Sequence, residues 1–92
     1  MRENYIRKHL IFHGRVQGVG FRYHAEYAAQ NLGASGWVRN LYDGTVECEI
    51  QGTKDMINDF ITMLYNGRYI VIDAIEQKEI PVQEERCFKI RY

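Results

Sequence analysis

Residues 14–22 read Gly-Arg-Val-Gln-Gly-Val-Gly-Phe-Arg, and this run holds the groups best suited to chemistry. Glycines at 14, 18 and 20 carry no Cβ, so backbone N–H groups can approach a ligand closely. Apolar Leu10, Ile11 and Phe12 precede the run, and a helical pattern follows it. A strand, a glycine loop and a helix start leave free N–H groups at the helix N-terminus, which is a ready anion site. Arg22 falls in or just before the first helical turn. A cation there opposes the helix dipole, at a cost of about 0.3–1 kcal/mol at an exposed site. The placement makes sense if an anion binds beside it. We therefore read the backbone of Arg15, Val16, Gln17, Gly18, Val19 and Gly20 as a cradle for phosphate or carboxylate, with Arg22 as its clamp. The run lacks the Gly-Lys-Ser/Thr of a P-loop and the third glycine of a dinucleotide fingerprint.

Other reactive side chains carry less. His9 and His13 stand four apart, but on a strand that spacing separates them by about 13 Å, too far to share an ion. His13 and His24 lie near the cradle in sequence and receive no role. Cys48 and Cys87 form no Cys-x-x-Cys pair, so zinc and redox motifs are unsupported. Two free, half-buried thiols are expected, with a disulfide left open. Trp37, Tyr42 and Tyr69 suit core or rim packing better than base stacking. No metal and no cofactor are expected.

These groups need elements to hold them. Residues 5–13 alternate as a strand, with Leu10 and Phe12 on one face and His9, Ile11 and His13 on the other. Residues 21–32 read as a helix whose stripe is Phe21, Ala25, Ala28, Ala29 and Leu32, stopped by Gly33. Residues 36–41 and 45–51 are strands joined by the tight-turn signal Asp43-Gly44. In the second of these strands Val46, Cys48 and Ile50 oppose Glu47, Glu49 and Gln51, the pattern of a sheet with one wet face. Thr53 caps a second helix that runs to residue 65 on Met56, Ile57, Phe60, Ile61 and Leu64. Strands over residues 69–78 and 86–92 complete the order βαββαβ plus a short C-terminal strand. The fold class is α+β, a ferredoxin-like two-layer sandwich with both helices on one face of an antiparallel sheet. In that topology the first and second strands run the same way with the third between them. Their C-terminal tips are then roughly 10 Å apart, which brings Arg22 near Asn40. The Asn40 carboxamide offers a donor and an acceptor beside the cradle.

Composition narrows the classes. Ninety-two residues suit one domain over residues 1–92. Net charge is zero and the pI is near 6.8, so nothing global favours nucleic acid or anionic membranes. No apolar run approaches the roughly 18 residues of a membrane span, and Met1-Arg2-Glu3-Asn4 contains no signal-like region. A cytoplasmic protein is expected, with a monomer as the simplest state.

The run 14–22, followed by Gly36-Trp37-Val38-Arg39-Asn40 and Asp43-Gly44-Thr45-Val46-Glu47, closely resembles the acylphosphatase family. The closing Phe88-Lys89-Ile90-Arg91-Tyr92 is similar to that family's last strand. The resemblance covers essentially the whole chain and is most specific over residues 14–52. One departure is Gly67-Arg68, where many members have Gly-Pro. The resemblance implies a metal-free hydrolase that splits a carboxyl–phosphate anhydride into carboxylate and inorganic phosphate. It implies that Arg22 binds the phosphate, that Asn40 orients the attacking water, and that the amides of residues 15–20 form the cradle. The partner would be a small acyl phosphate. Three other readings compete: a non-catalytic phosphate-binding regulatory module on the same fold, the corresponding domain of a larger carbamoyl-phosphate-using maturation protein, and an RNA-binding domain. The chain lacks the aromatic–basic strand motif of RNA-recognition modules and the zinc-type cysteines expected of the maturation protein.

Overall fold

A computed structural model describes residues 4–92. Alternating apolar residues build β1 (Ile6–Arg15), with Leu10 and Phe12 buried on one face. Two helices, α1 (Phe21–Leu32) and α2 (Lys54–Tyr65), cover that face. Between and after them come β2 (Ser35–Asn40), β3 (Val46–Gly52), β4 (Val71–Ile80) and β5 (Phe88–Ile90). The sheet order is β4-β1-β3-β2-β5.

The core follows from the stripes. Phe21, Ala25, Ala28 and Ala29 of α1 meet Ile57, Phe60 and Leu64 of α2 over Leu10, Phe12, Val38, Val46, Cys48 and Ile50. The Phe12 and Phe21 rings meet at a tilt with centres 4.9 Å apart, anchoring the start of α1 on the end of β1. Alanines at the α1 contact let the helix sit close to the sheet. Thr53 caps α2 as expected, its Oγ1 accepting from the Met56 N–H at 3.1 Å. Gly33 ends α1, and the Ala34 N–H returns to the Ala29 carbonyl at 2.9 Å.

The sheet is mixed rather than wholly antiparallel. β5 pairs parallel with β2, matching Gly36 to Phe88 and Val38 to Ile90. The cause is the route of the chain. β4 descends beside β1 on one edge, and residues 81–87 cross below the sheet to the other edge. A strand entering there must run upward. It therefore delivers Tyr92 to the end of the sheet where β1 and β2 finish.

Other expectations are also amended. β1 continues through Gly14 and Arg15, which pair with Ile72 and Val71 after a bulge at His13/Gly14. Arg15 thus lies in the ladder at the foot of the bend. β4 lies two residues later than expected at both ends, and β5 is shorter. Trp37 is buried, with the Arg91 guanidinium 4.6 Å from its ring centre, but Tyr42 and Tyr69 project into solvent. The cysteines are free but unlike one another: Cys48 is fully buried and Cys87 is exposed. Burial pushes the Cys48 thiol well above its usual range, which keeps it inert.

The wet face carries a network that the strand pattern does not reveal. Arg7 is fully buried there. It donates to Glu49 at 2.8 Å, Glu85 at 2.7 Å and Gln51 at 3.2 Å. Gln51 in turn exchanges two hydrogen bonds with the Gln83 backbone, 2.8 and 2.9 Å long. This strap fixes residues 81–87 across the lower end of the sheet. Among the described residues no helix is long and apolar enough to cross a membrane.

Candidate active site

The upper end of the sheet has the opposite character. Between Val16 and Phe21, both buried, the chain bends through Gln17, Gly18, Val19 and Gly20. Gly18 and Gly20 take φ of 72° and 77°, a region that L side chains rarely adopt, so glycine is required for this bend. Gly20 is the N-cap of α1, and its carbonyl accepts from the His24 N–H at 3.0 Å. Among the described residues, no N–H of residues 16–20 donates to a main-chain carbonyl outside the regular elements. Those donors remain available. The first turn of α1 contains no acidic side chain that would compete for them.

A cavity of about 190 Å³ opens at this point. Val16, Gly18, Gly20, Phe21, Arg22, Tyr23 and Asn40 line it. Arg22 and Asn40 therefore share one concavity, as the strand order β1-β3-β2 requires. Asn40 closes β2, opposite Val46. Its Oδ1 is buried and has no hydrogen-bond partner in the protein. A buried acceptor without a partner costs about 1–3 kcal/mol, so its retention calls for an explanation. The Arg22 guanidinium lies over the Tyr92 ring, 5.0 Å from its centre. The interaction of its O–H, as donor, with the Tyr23 hydroxyl is the largest cause that raises the Tyr92 hydroxyl above its usual range. Nothing in the local sequence pattern marks Tyr92 for this site. Its place depends on the upward run of β5.

Arg15, Gln17 and Val19 do not line the cavity. Val19 packs against the core, and the Gln17 side chain turns to the β2–β3 hairpin. The histidines are engaged elsewhere. His24 Nε2 bonds the Met63 carbonyl at 2.8 Å, while His9 meets Glu47 at 2.7 Å and His13 meets Glu76 at 2.6 Å. Among the described residues no three His, Cys, Asp or Glu side chains gather as a metal site would need. A larger cavity, about 910 Å³, lies at the lower end around Gln51, Gln83, Glu84 and Glu85. Size alone does not make it the site: Arg7 beside it is already paired with Glu49 and Glu85.

Fold and bend together define a small ferredoxin-like α+β protein with unspent amides and a guanidinium at one end of its sheet. Comparison with known proteins supplies the family. The Acylphosphatase family model matches residues 8–90. An acylphosphatase of Bifidobacterium longum (strain NCC 2705) is 41% identical over 91 residues, spanning 96% of this chain and 94% of that one. The crystal structure of acylphosphatase from Bacillus subtilis superposes with a TM-score of 0.88 at 32% identity, covering 95% of this chain and 99% of the other. Full-length HypF in its phosphate- and nucleotide-bound form gives a TM-score of 0.80 at 29% identity over 96% of this chain, but only 12% of that protein. The chain belongs to the acylphosphatase family. It is an enzyme of the acylphosphatase kind.

Proposed function

We propose that the chain, as one acylphosphatase domain, hydrolyses small acyl phosphates to a carboxylate and inorganic phosphate at the cavity between Arg22 and Asn40. The observation that carries this reading is the buried, unpartnered Asn40 Oδ1 in the same cavity as Arg22 and the glycine bend. The backbone N–H groups of residues 15–20 and the Arg22 guanidinium bind the phosphoryl oxygens. Asn40 accepts a hydrogen bond from a water molecule and aims its oxygen at phosphorus. The water oxygen forms the new P–O bond as the bond to the acyl oxygen breaks. The electron pair leaves with the carboxylate, which needs no proton. The water's proton passes to a phosphoryl oxygen.

These residues suit the chemistry. Phosphoryl transfer through a loose transition state needs positioning and charge stabilisation rather than a strong base. Preorganised N–H donors and a planar guanidinium supply the stabilisation, and one such donor is typically worth about 2.7–4 kcal/mol. Alignment of the water supplies the positioning. The test is a panel of acetyl, carbamoyl and aryl acyl phosphates with the purified protein and a chelator. Turnover above buffer is expected. Phosphate binding without hydrolysis of any member would overturn the catalytic reading.

A further inference from the structure

We propose that the Gln17 side chain is a positioning residue that pins the glycine bend to the hairpin carrying Asn40. The proposal rests on the reading above, that the bend binds the phosphoryl group. The bend has little else to hold its shape. Val16 and Phe21 anchor its two ends in the core, but an added Cβ at Gly18 or Gly20 would meet no atom within 4 Å. Within the bend, Val19 packs against the core, but neither glycine has a close neighbour. Gln17 reaches out of the bend instead. Its Nε2 donates to the Leu41 carbonyl and to the Thr45 carbonyl, the latter at 2.8 Å. The amide has two N–H hydrogens and here two acceptors, so both donors are used.

The receiving hairpin is stiff. The Leu41 N–H donates to the Thr45 carbonyl at 2.9 Å, and the Gly44 N–H to the Leu41 carbonyl at 3.3 Å. Asp43 takes the Thr45 N–H at 3.0 Å and its hydroxyl at 2.6 Å. Leu41 directly follows Asn40. The carboxamide of Gln17 therefore refers the cradle to the residue directly after the one proposed to aim the water. Phosphate-binding amides and water-orienting amide share one rigid frame through a single side chain.

If so, losing the link should act on phosphate affinity more than on turnover at saturation, because the bend must then be ordered when the anion binds. Gln17→Met keeps the reach and removes both donors. It should weaken inorganic phosphate binding, measured by titration calorimetry, about 10- to 30-fold and raise KM in parallel. The value of kcat should fall by no more than about threefold. Gln17→Glu sets a carboxylate against two carbonyl oxygens and should be worse, whereas Gln17→Lys restores a donor and should recover part of the affinity. A residue that served stability alone would lower Tm and leave phosphate affinity in the folded variant unchanged. That result would overturn the proposal. Absence of phosphate binding in the wild type would instead remove the cradle reading, and this proposal with it. The wild-type protein gives an arm that needs no variant. Both Gln17 Nε2 protons should exchange slowly with solvent by NMR, and a freely exchanging carboxamide overturns the pin.

Discussion

Arg22→Ala should separate binding from folding. Two terms set its effect on the free protein, and they oppose each other. Arg22 is half-buried in the first turn of α1, where its charge opposes the helix dipole, so removal gains about 0.3–1 kcal/mol. Removal also ends the contact with the Tyr92 ring at 5.0 Å, which at an exposed ring is worth about 0.5–1 kcal/mol. The sum lies within about 1 kcal/mol of zero. In a domain of this size that is a Tm change of no more than roughly 4–8 °C. The bound state has no such cancellation. A unit positive charge about 4 Å from a unit of phosphate charge, at an effective dielectric near 20, contributes about 4 kcal/mol. Loss of that term corresponds to about a thousandfold weaker phosphate binding. Arg22→Lys keeps the charge, so it should recover part of that Coulombic term, while loss of the planar two-pronged fork keeps it short of the wild type. Thermal melts and phosphate calorimetry in the same low-salt buffer measure both arms. An Arg22→Ala protein that melts near the wild type and binds phosphate within tenfold of it would refute the clamp. One that unfolds would refute the argument that the residue is free of structural duty.

Two further outcomes follow from the same geometry. Asn40→Ala should leave the inhibition constant of inorganic phosphate within about threefold while lowering kcat about a hundredfold, since misplacing the attacking water costs on that order; steady-state kinetics with phosphate as competitor reads both. The Thr45 hydroxyl, and after it the Thr45 N–H, hold the Asp43 carboxyl below its ordinary value of 3.8. A depressed folded pKa gives stability that is present above the unfolded value and lost as pH falls through the folded one. The Tm difference between wild type and Asp43→Ala should therefore be constant from about pH 7 to 5 and shrink as pH falls below 3.8, in melts across that range.

Much of this architecture can be read from side-chain period and turn chemistry. Leu10 and Phe12 against His9 and His13, or Val46, Cys48 and Ile50 against the glutamates, assign a face to each strand because alternation has period two. Asp43-Gly44, Thr53 and Gly33 punctuate the elements because each supplies a turn or a cap locally. Even the meeting of Arg22 with Asn40 follows once β3 is placed between β1 and β2. Facts that depend on distant segments were not legible. Arg7 alternates like an exposed strand residue, and only the crossing of residues 81–87 buries it between Glu49 and Glu85. The direction of β5, and with it the arrival of Tyr92 at Arg22, depends on the same crossing. Gln17 invited a reading of its backbone amide, because nothing local shows that its side chain reaches carbonyls on another hairpin.

The two ends of the sheet treat their polar groups differently, and this contrast gives the site its meaning. At the lower end Gln51 satisfies both the carbonyl and the N–H of Gln83, and Arg7 has three acceptors. One nitrogen of Arg7 is unpaired there, but its charge already has two carboxylates beside it. At the upper end the amides of residues 16–20 and the Asn40 Oδ1 stay uncommitted, and Arg22 has an aromatic ring for company rather than a carboxylate. A chain that can build an interlocked polar network below could have closed the upper groups on one another at little structural cost. The buried Asn40 Oδ1 left open there costs about 1–3 kcal/mol of a stability that totals only about 5–15. Such costs cluster where a ligand supplies the missing partner. Here the missing partners are acceptors for N–H groups, an anion for a guanidinium and a donor for a carboxamide oxygen, and a phosphoryl group with a water molecule behind it provides all three.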